Sequence, residues 1–252
     1  MIEITSPQDS RIVEFTQMRD RVLHDNNLVV CESEKLFLQF IHSGKKILKT
    51  FSTKSFAEKY KLTNDTNFVA DKSVLESVAG FKIEFEVLFL IAKPDDFPLN
   101  NLHSRIILLN GVSSPENVGS IVRSAAAFNI NSIITDEKSC SPFLRRCIRV
   151  SMGNIFAMKT HHSNDVREDL KILKSLGYTI LSTANIARSI DMATYVFPQK
   201  CVLIIGSEGH GIDHDILESS DVILKIKINS QVAHLNAANA ASIFLSHMSL
   251  VE

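Results

Sequence analysis

The chain has 252 residues, 45% of them apolar, and a formal net charge of −1 at pH 7. This length suits one large domain or two small ones, and the charge excludes an overall basic field that would attract nucleic acid. No apolar run approaches the roughly 20 residues that a membrane helix requires. The first residues, MIEITSPQDS, lack the pattern of a signal peptide. We therefore expect a soluble, cytoplasmic protein.

The first part of the chain alternates short helices with strands. The patterns predict helices over 6–20, 34–44, 54–60 and 72–79, and strands over 28–33, 47–53, 66–70 and 85–92. The stretch KPDDFPLNNLHS, rich in Pro, Asp and Asn, is the best linker candidate. It predicts a first domain over 1–93, a linker over 94–104 and a second domain over 105–252.

After the linker, apolar strands alternate regularly with helices. The predicted strands cover 105–111, 132–136, 155–160, 178–184, 201–206 and 222–228, and the predicted helices cover 117–129, 141–151, 164–176, 213–219 and 235–249. Such alternation is typical of a parallel sheet with helices on both faces. The predicted fold class is therefore α/β.

Two loops of the second domain follow strands and carry polar residues. In NGVSSPENVGSIVRSAAAFN, over 110–129, Asn117 can cap the helix and Arg123 can pair with a phosphate or carboxylate. The alternative for Arg123 is an exposed helix arginine. In IIGSEGHGI, over 204–212, glycines surround Glu208 at the end of a strand, where α/β proteins bind ligands. The alternative is a plain strand-to-helix turn in which Asp213 caps the helix.

A third loop and the charged residues leave further alternatives open. IKINSQVAHLNAANAASIF, over 226–244, leads into a helix of small residues, which either allows another segment to approach closely or is a core helix. The lysine-rich stretch 45–61 is either a solvated face or a patch that contacts phosphates. Four scattered cysteines and nine histidines show no metal-ligand spacing, so we expect no metal site.

In this order, the three loops resemble the three motifs of the SpoU, or TrmH, branch of the SPOUT RNA methyltransferases. That family's first motif is roughly D-G-V-x-D-P-x-N-x-G-x-x-x-R-[ST]-A, which NGVSSPENVGSIVRSA matches. Its second motif, G-[SA]-E-G-x-G, is matched by GSEGHG, and its third, I-P-M followed by a short loop and S-L-N-V, by IKINSQVAHLN. SPFLRRCIRVSMGNIF resembles the segment between the first two motifs. The N-terminal part resembles the family's L30e-like substrate-binding domain, with Ser33 in place of a glycine.

The resemblance implies a fold, a cofactor and a reaction. The fold would be a C-terminal SPOUT domain, whose parallel sheet carries a deep trefoil knot, plus a smaller L30e-like α/β domain. The reaction would be methyl transfer from S-adenosylmethionine to a ribose 2′-hydroxyl of RNA, with rRNA favoured over tRNA. The partners would be RNA and a second copy of the chain, bound through the C-terminal domain, with no membrane involved.

The family resemblance and the basic stretch together imply residues for three roles. The predicted catalytic residues are Arg123, Asn117, Glu208, Asn236 and His234. The predicted cofactor-binding residues are Gly206, Ser207, Gly209, Ile226, Ile228, Leu235, Asn236, Thr183 and Ala184. The predicted RNA-binding residues are Lys45, Lys46, Lys49, Arg145 and Arg146. In this scheme Arg123 stabilises the developing alkoxide or grips a phosphate, and Glu208 orients Arg123 or Asn117.

Some positions depart from the family pattern. His234 stands where the family has serine, Asn110 and Ser114 replace aspartates, and Lys227 replaces a proline. Because histidine is the commonest general base, we expect His234 either to take or relay the proton of the 2′-hydroxyl or only to fill the turn. The departures also leave open an RNA-binding or assembly protein that has lost catalysis.

Two other classes of enzyme remain as alternatives. A base methyltransferase of another SPOUT branch is disfavoured by Arg123 in the first motif and by the N-terminal domain. An unrelated nucleotide-binding α/β enzyme is disfavoured because the chain has no phosphate-loop signature.

Overall fold

The computed structural model describes residues 1–16, 23, 26–80 and 82–250. Its internal contacts divide the chain into two compact units, Met1–Pro94 with Phe143–Arg145, and Asp95–Pro142 with Arg146–Glu252. The helix predicted over 6–20 has its first part among the described residues, whereas 17–20 lie outside them.

In the described residues of the first unit, five strands form a mixed sheet in the order β1-β4-β3-β5-β2. The strands are β1 Ile2–Glu3, β2 Leu28–Glu32, β3 Lys49–Ser52, β4 Asn67–Val69 and β5 Val87–Ala92. The helices are α1 Val13–Thr16, α2 Glu34–His42, α3 Lys54–Lys59 and α4 Lys72–Ala79. Fully buried aromatic rings, such as Phe51 and Phe89, form much of the core.

Ser33 shows why the family resemblance places a glycine at this position. Its φ is 91°, in the left-handed region that side chains other than glycine rarely adopt. The Ser33 hydroxyl compensates by capping α2, because it accepts a hydrogen bond from the backbone N–H of Leu36 at 3.4 Å.

In the described part of the second unit, seven parallel strands lie in the order β10-β12-β9-β11-β6-β7-β8. The strands are β6 Arg105–Asn110, β7 Ser132–Thr135, β8 Lys159–His162, β9 Thr179–Thr183, β10 Ile190–Asp191, β11 Cys201–Gly206 and β12 Val222–Lys225. The helices are α5 Pro115–Ala127, α6 Arg145–Val150, α7 Val166–Ser175, α8 His214–Glu218 and α9 Ala237–Ser249. The sheet confirms the predicted α/β class, whereas the trefoil knot stays a prediction.

Helices cover both faces of this sheet because its strands are apolar on both sides. Ile106 and Leu108 belong to a core cluster with residues of α7 and α8. Their neighbours Ile107 and Leu109 are also fully buried and, by strand alternation, point to the other face. Helices α5 and α9 pack against one another, and α9 also packs against β11.

Several predicted elements are shifted in the structure. Strand β8 lies at Lys159–His162 rather than 155–160, because Asn154–Ala157 form a 3-10 helix. The predicted linker 94–104 is largely part of the second unit, since Leu99 and Leu102 are buried in its core. Strand β12 ends at Lys225, so residues 226–228 leave the sheet. No helix in the described ranges is long and apolar enough to cross a membrane.

Candidate active site

The parallel sheet brings the first two motif loops side by side. Strands β6 and β11 are hydrogen-bonded neighbours, and Asn110 lies opposite Gly206 in their register. Both strands therefore deliver the loops that follow them to the same carboxyl edge, where ligands bind in open α/β sheets.

The first motif begins helix α5 with Ser114 as its cap. The Ser114 hydroxyl accepts a hydrogen bond from the backbone N–H of Asn117 at 3.4 Å, and Pro115 occupies the first turn. The prediction that Asn117 caps this helix is therefore wrong, because Ser114 satisfies that end. The Asn117 side chain is free to point elsewhere, and the serine that replaces a family aspartate keeps the capping role.

Three predicted catalytic residues meet in what we call the amide cluster: Asn117, Glu208 and Asn236. Asn117 Nδ2 donates to Glu208 Oε1 at 2.8 Å. Asn236 Nδ2 donates to Glu208 Oε1 at 2.5 Å and to Asn117 Oδ1 at 2.9 Å. The backbone N–H of Ala237 also donates to Glu208 Oε1, at 3.3 Å. One carboxylate thus joins all three sequence motifs.

Asn236 also begins helix α9. Its Oδ1 accepts from the backbone N–H groups of Ala238 and Asn239, at 2.9 and 3.2 Å. These bonds fix the amide orientation, so its Nδ2 must face Glu208 and Asn117.

The glycines around Glu208 close a tight turn. A Cβ added at Gly206 would lie 2.4 Å from the carbonyl carbon of Gly211, so only glycine fits there. Ser207 and Gly211 exchange two backbone hydrogen bonds of 3.0 Å, and the Ser207 hydroxyl accepts from His210 N–H at 3.2 Å. A Cβ at Gly209 would meet nothing within 4 Å. The crowding at Gly206 therefore comes from the loop itself, and the cofactor contacts of this loop stay a prediction.

A cavity of about 160 Å³ lies beside the third motif. Its wall includes the predicted cofactor-binding residues Thr183, Ala184, Ile226, Ile228 and Leu235. The Thr183 hydroxyl is fixed by donating to the Ile204 carbonyl at 2.9 Å.

The cavity wall contains one predicted catalytic residue and several that the sequence did not single out. The exposed His234 contributes to the wall. Asn185, Ala233 and Phe244 line the cavity as well, although no sequence signal distinguished them.

Arg123 does not join the amide cluster. It is exposed on α5 and makes no hydrogen bond or ion pair within the described ranges. Of the two partners predicted for Glu208, the structure brings Asn117 to it and not Arg123. Its exposed guanidinium, without a partner among the described residues, remains available to an anion.

A second polar group, which we call the aspartate cluster, comprises Asn110, Asp136 and Asp213 at the same edge. Asn110 Nδ2 donates to Asp136 Oδ2 at 2.8 Å and to Asp213 Oδ2 at 3.1 Å, and Asn110 Oδ1 accepts from Asp213 N–H at 2.7 Å. Asp136 also accepts from the N–H groups of Gly111 and Ser139. Asn110 and Asp136 are only 2% and 5% exposed. No sequence signal distinguished Asp136, because it is the last residue of the predicted strand 132–136, whereas in the structure it lies just after β7.

Asp213 has a different role from the predicted helix cap. It stands at the start of α8, but its side chain makes no cap hydrogen bond. Its carboxylate accepts instead from Lys138 Nζ at 2.8 Å and from Asn110. These two hydrogen bonds, that of Lys138 above all, lower the pKa of Asp213 below its usual value.

The predicted RNA-binding residues differ in whether their side chains already make contacts within the protein. Lys49 pairs with Glu14 at 2.7 Å, and Lys45 lies over the ring of Phe40. Lys46 is exposed and makes no contact of this kind in the described part of the chain.

The two predicted arginines begin helix α6. Arg146 Nε pairs with Glu116 Oε1 at 2.8 Å, so its guanidinium is partly engaged, and Arg145 also has a partner. RNA contact by any of these arginines and lysines stays a prediction.

Comparison with known proteins agrees with this geometry. The model of the SpoU rRNA methylase family matches residues 104–246, which include all three motif loops and the amide cluster. The chain belongs to the SpoU rRNA methylase family. This membership confirms the prediction of an RNA methyltransferase that uses S-adenosylmethionine.

The similarity of this SpoU-family chain to its relatives extends beyond residues 104–246. An uncharacterised tRNA/rRNA methyltransferase of Mycobacterium bovis is 26% identical over 259 residues, covering 96% of this chain and 89% of the relative. RlmP of Bacillus subtilis, a 23S rRNA guanosine 2′-O-methyltransferase, is 27% identical over 148 residues, covering 57% of each chain. The AdoMet-bound rRNA methyltransferase from Sinorhizobium meliloti superposes with a TM-score of 0.87 and 21% identity, covering 98% of this chain and 96% of that one. The superposition shows that this chain shares the fold of that methyltransferase over nearly its whole length.

Proposed function

We propose that this SpoU-family chain transfers the methyl group of S-adenosylmethionine to a ribose 2′-hydroxyl in ribosomal RNA. The observation that carries the proposal is the amide cluster, in which Glu208 joins Asn117 and Asn236 from three separate motifs. The similarity to RlmP, a ribose 2′-O-methyltransferase of 23S rRNA, supports the choice of reaction and of substrate class.

The cavity beside the third motif suits the cofactor. Ile226, Ile228 and Leu235 give it an apolar wall for a purine ring. The backbone N–H groups of Ile228 and Leu235 make no hydrogen bond in the described part of the chain, so they can donate to ring nitrogens or hydroxyls. When bound there, S-adenosylmethionine supplies an electrophilic methyl group on a positively charged sulfur.

The residues of the amide cluster position the ribose. Asn236 uses its oxygen for helix α9 and its nitrogen for Glu208 and Asn117, so its own bonds are filled. Asn117 keeps one amide hydrogen, and Glu208 keeps Oε2, neither of which has a partner among the described residues. These two groups can hold the ribose hydroxyls in line with the methyl donor, and such positioning supplies much of the rate.

Arg123 and His234 complete the proposed chemistry. Arg123 carries a guanidinium, which can grip a neighbouring phosphate or stabilise the developing alkoxide through charge-assisted hydrogen bonds. His234, in the cavity wall, takes or relays the proton of the 2′-hydroxyl. Comparing pH–rate profiles of the wild type and His234→Ser checks this role. An ionisation that disappears in the variant supports it, and identical profiles would make His234 structural.

We also propose that the chain works as a homodimer through α5 and α9. These helices already pack on one another, with Ser124 Oγ and Ser242 Oγ 2.7 Å apart, and Ile243 on α9 is exposed. Light scattering should give the mass of a dimer at micromolar concentration. A monomer mass would contradict this assembly.

The first unit is proposed to bind the RNA phosphates, as an L30e-like domain would. The exposed Lys46 is the best-placed lysine of the basic stretch, because Lys49 already pairs with Glu14. Lys46→Gln should reduce the salt dependence of RNA binding by about one unit of slope. Lys49→Gln, the matched variant, should change it less, and equal slopes in both variants and the wild type would remove this surface from the RNA site.

Two measurements test the function as a whole. Calorimetry should show one S-adenosylmethionine bound per chain. Mass-spectrometric mapping should find a ribose methylation in rRNA that is lost in cells without the protein. If the folded protein does not bind the cofactor, or if the ribose map does not change, the proposed reaction is wrong.

A further inference from the structure

Cys140 and Cys147 touch one another beside the first motif. Their sulfur atoms lie 3.8 Å apart, and neither cysteine is in a disulfide. Cys140 lies in the loop after β7 and is partly exposed, whereas Cys147 is fully buried in α6. A small oxidant in solution therefore reacts with Cys140 first, and the sulfur of Cys147 lies in contact with the oxidised sulfur.

The other two cysteines lie in different surroundings. Cys31 is fully buried in β2, and the Cys201 sulfur lies 3.6 Å from the sulfur of Met248 in the core. Burial raises the pKa of both thiols, that of Cys201 to about 11. By contrast, the hydrogen bond with Cys147 lowers the pKa of Cys140, although partial burial acts in the opposite direction. Because the thiolate is the nucleophile, Cys140 should be the most reactive of the four.

We propose that Cys140 and Cys147 form a peroxide-reactive dithiol that closes to an intramolecular disulfide next to the first motif. The Cys140 thiolate attacks one oxygen of a hydroperoxide, the O–O bond breaks, and the departing alkoxide or hydroxide takes up the proton that Cys140 released. The Cys147 sulfur then attacks the resulting sulfenic acid, the S–O bond breaks, and water leaves with the Cys147 proton. The dithiol loses two electrons, and the hydroperoxide gains them as it becomes an alcohol, or water, plus water.

Closing the disulfide moves the first motif. A disulfide is about 2.05 Å long, so the sulfurs, now 3.8 Å apart, must approach by about 1.8 Å. Helix α6 has little freedom, because a Cβ added at Gly119 of α5 would lie only 2.9 Å from the Cys147 carbonyl oxygen. The Cys140 loop therefore makes most of the movement.

Both cysteines are tied to the segment that precedes Asn117. The backbone N–H of Cys140 donates to the Val112 carbonyl at 3.1 Å. The Cys147 thiol donates to the Pro115 carbonyl at 3.3 Å when its proton is not shared with Cys140. Closing the disulfide strains the hydrogen bond between Cys140 and Val112. It also removes the thiol hydrogen of Cys147, so the hydrogen bond to the Pro115 carbonyl is lost. The displaced segment shifts Asn117 from Glu208, so methyl transfer should fall about tenfold and recover with dithiothreitol.

The test of the disulfide does not depend on the proposed methyl transfer. The folded wild-type protein is treated with hydrogen peroxide, denatured, alkylated and digested with trypsin. Trypsin cleaves after Arg145 and Arg146, so the two cysteines fall on separate peptides that only a disulfide joins. We expect mass spectrometry to find these peptides linked and Cys31 and Cys201 still alkylated.

Cysteine variants test the separate roles of Cys140 and Cys147. In Cys147→Ser, the sulfenic acid of Cys140 should persist and be trapped by dimedone, whereas the matched Cys31→Ser should keep the disulfide. Alkylation of both peptides in the treated wild type, or oxidation of Cys140 to a sulfinic acid without a link, would overturn the proposal. Because the wild type is measured first, poor folding of a variant does not affect this decision.

Discussion

The amide cluster and the aspartate cluster share one edge of one sheet and use similar groups, yet they differ in burial. In the aspartate cluster, Asn110 and Asp136 are almost fully buried, and Asp136 accepts hydrogen bonds on both oxygens. In the amide cluster, Glu208 is exposed, and its Oε2 has no partner among the described residues. The hydrogen bonds of Asn110 and Asp136 with described residues leave neither side chain a polar group for a ligand, whereas the amide cluster leaves such groups on Asn117 and Glu208. We therefore assign the aspartate cluster to the fold and the amide cluster to the reaction.

The largest effect is expected from Glu208→Ala. Without the carboxylate, Asn117 and Asn236 lose their shared partner, so methyl transfer should fall about 100-fold through misplacement of the ribose. The free energy of unfolding should change by less than about 1 kcal/mol, because water can replace an exposed carboxylate. The matched control is Glu137→Ala, an exposed glutamate without a described hydrogen bond at the same edge. Equal activity in the two variants would remove Glu208 from the site.

Asp136→Ala should lower the free energy of unfolding, whereas Glu208→Ala should mainly lower methyl transfer. The Asp136→Ala substitution leaves the partly buried N–H groups of Gly111 and Ser139 and the buried Asn110 amide without this acceptor, so the free energy of unfolding should fall by about 3 kcal/mol. Urea unfolding measures this, with the exposed Asp95→Ala as the control. A stable Asp136→Ala variant that loses activity alone would reverse the roles that we give to the two clusters.

A double-mutant cycle measures the coupling inside the amide cluster. Asn236→Ser keeps an oxygen that can cap α9 but removes the amide that donates to Asn117 and Glu208, and Asn117→Ala removes the other amide. In methyl-transfer rates, the double variant should lose about 1 kcal/mol less than the two single losses together. Strict additivity would show that the two amides act independently.

The smallest effect concerns the rim of the aspartate cluster. Lys138 lowers the pKa of Asp213, so this pair stabilises the fold fully above the ordinary aspartate pKa, about 3.9, and loses that contribution as the pH falls through the lowered value. Lys138→Met should therefore be slightly less stable than the wild type at neutral pH and equal to it in strong acid. Acid unfolding monitored by circular dichroism tests this against Lys82→Met. A difference between Lys138→Met and the wild type that persists in strong acid would contradict the assignment.

The sequence predicts the elements and motifs that follow a repeating or ordered pattern. It does not predict hydrogen bonds between residues that are far apart in the chain. Apolar alternation predicted the parallel sheet, and the motifs predicted Asn117, Glu208 and Asn236 as one site. It did not predict which of them bond to one another, because the partners lie far apart in the chain. The β6–β11 register and the packing of α9 on α5 bring them together. For the same reason Arg123 was wrongly considered as a partner of Glu208.

Local features of the sequence explain the errors in the predicted helix cap and strands. Asn117 was predicted as a helix cap, but Ser114 stands three residues earlier and satisfies that N–H group. The two-residue strands β1 and β10 carry too short a pattern to be recognised. Asp136 ends the predicted strand 132–136 and belongs to no motif, and its role comes from accepting the N–H groups of Gly111 and Ser139, which only the folded structure brings to it.

The most direct test of the division between the two clusters is a ribose-methylation map of rRNA. The map is measured in cells that lack the protein and in the same cells supplied with wild type, Glu208→Ala or Glu137→Ala. We expect one ribose methylation to disappear without the protein, to return with wild type and Glu137→Ala, and to stay absent with Glu208→Ala present at wild-type abundance. A full return of the methylation with Glu208→Ala would contradict the assignment of the reaction to the amide cluster.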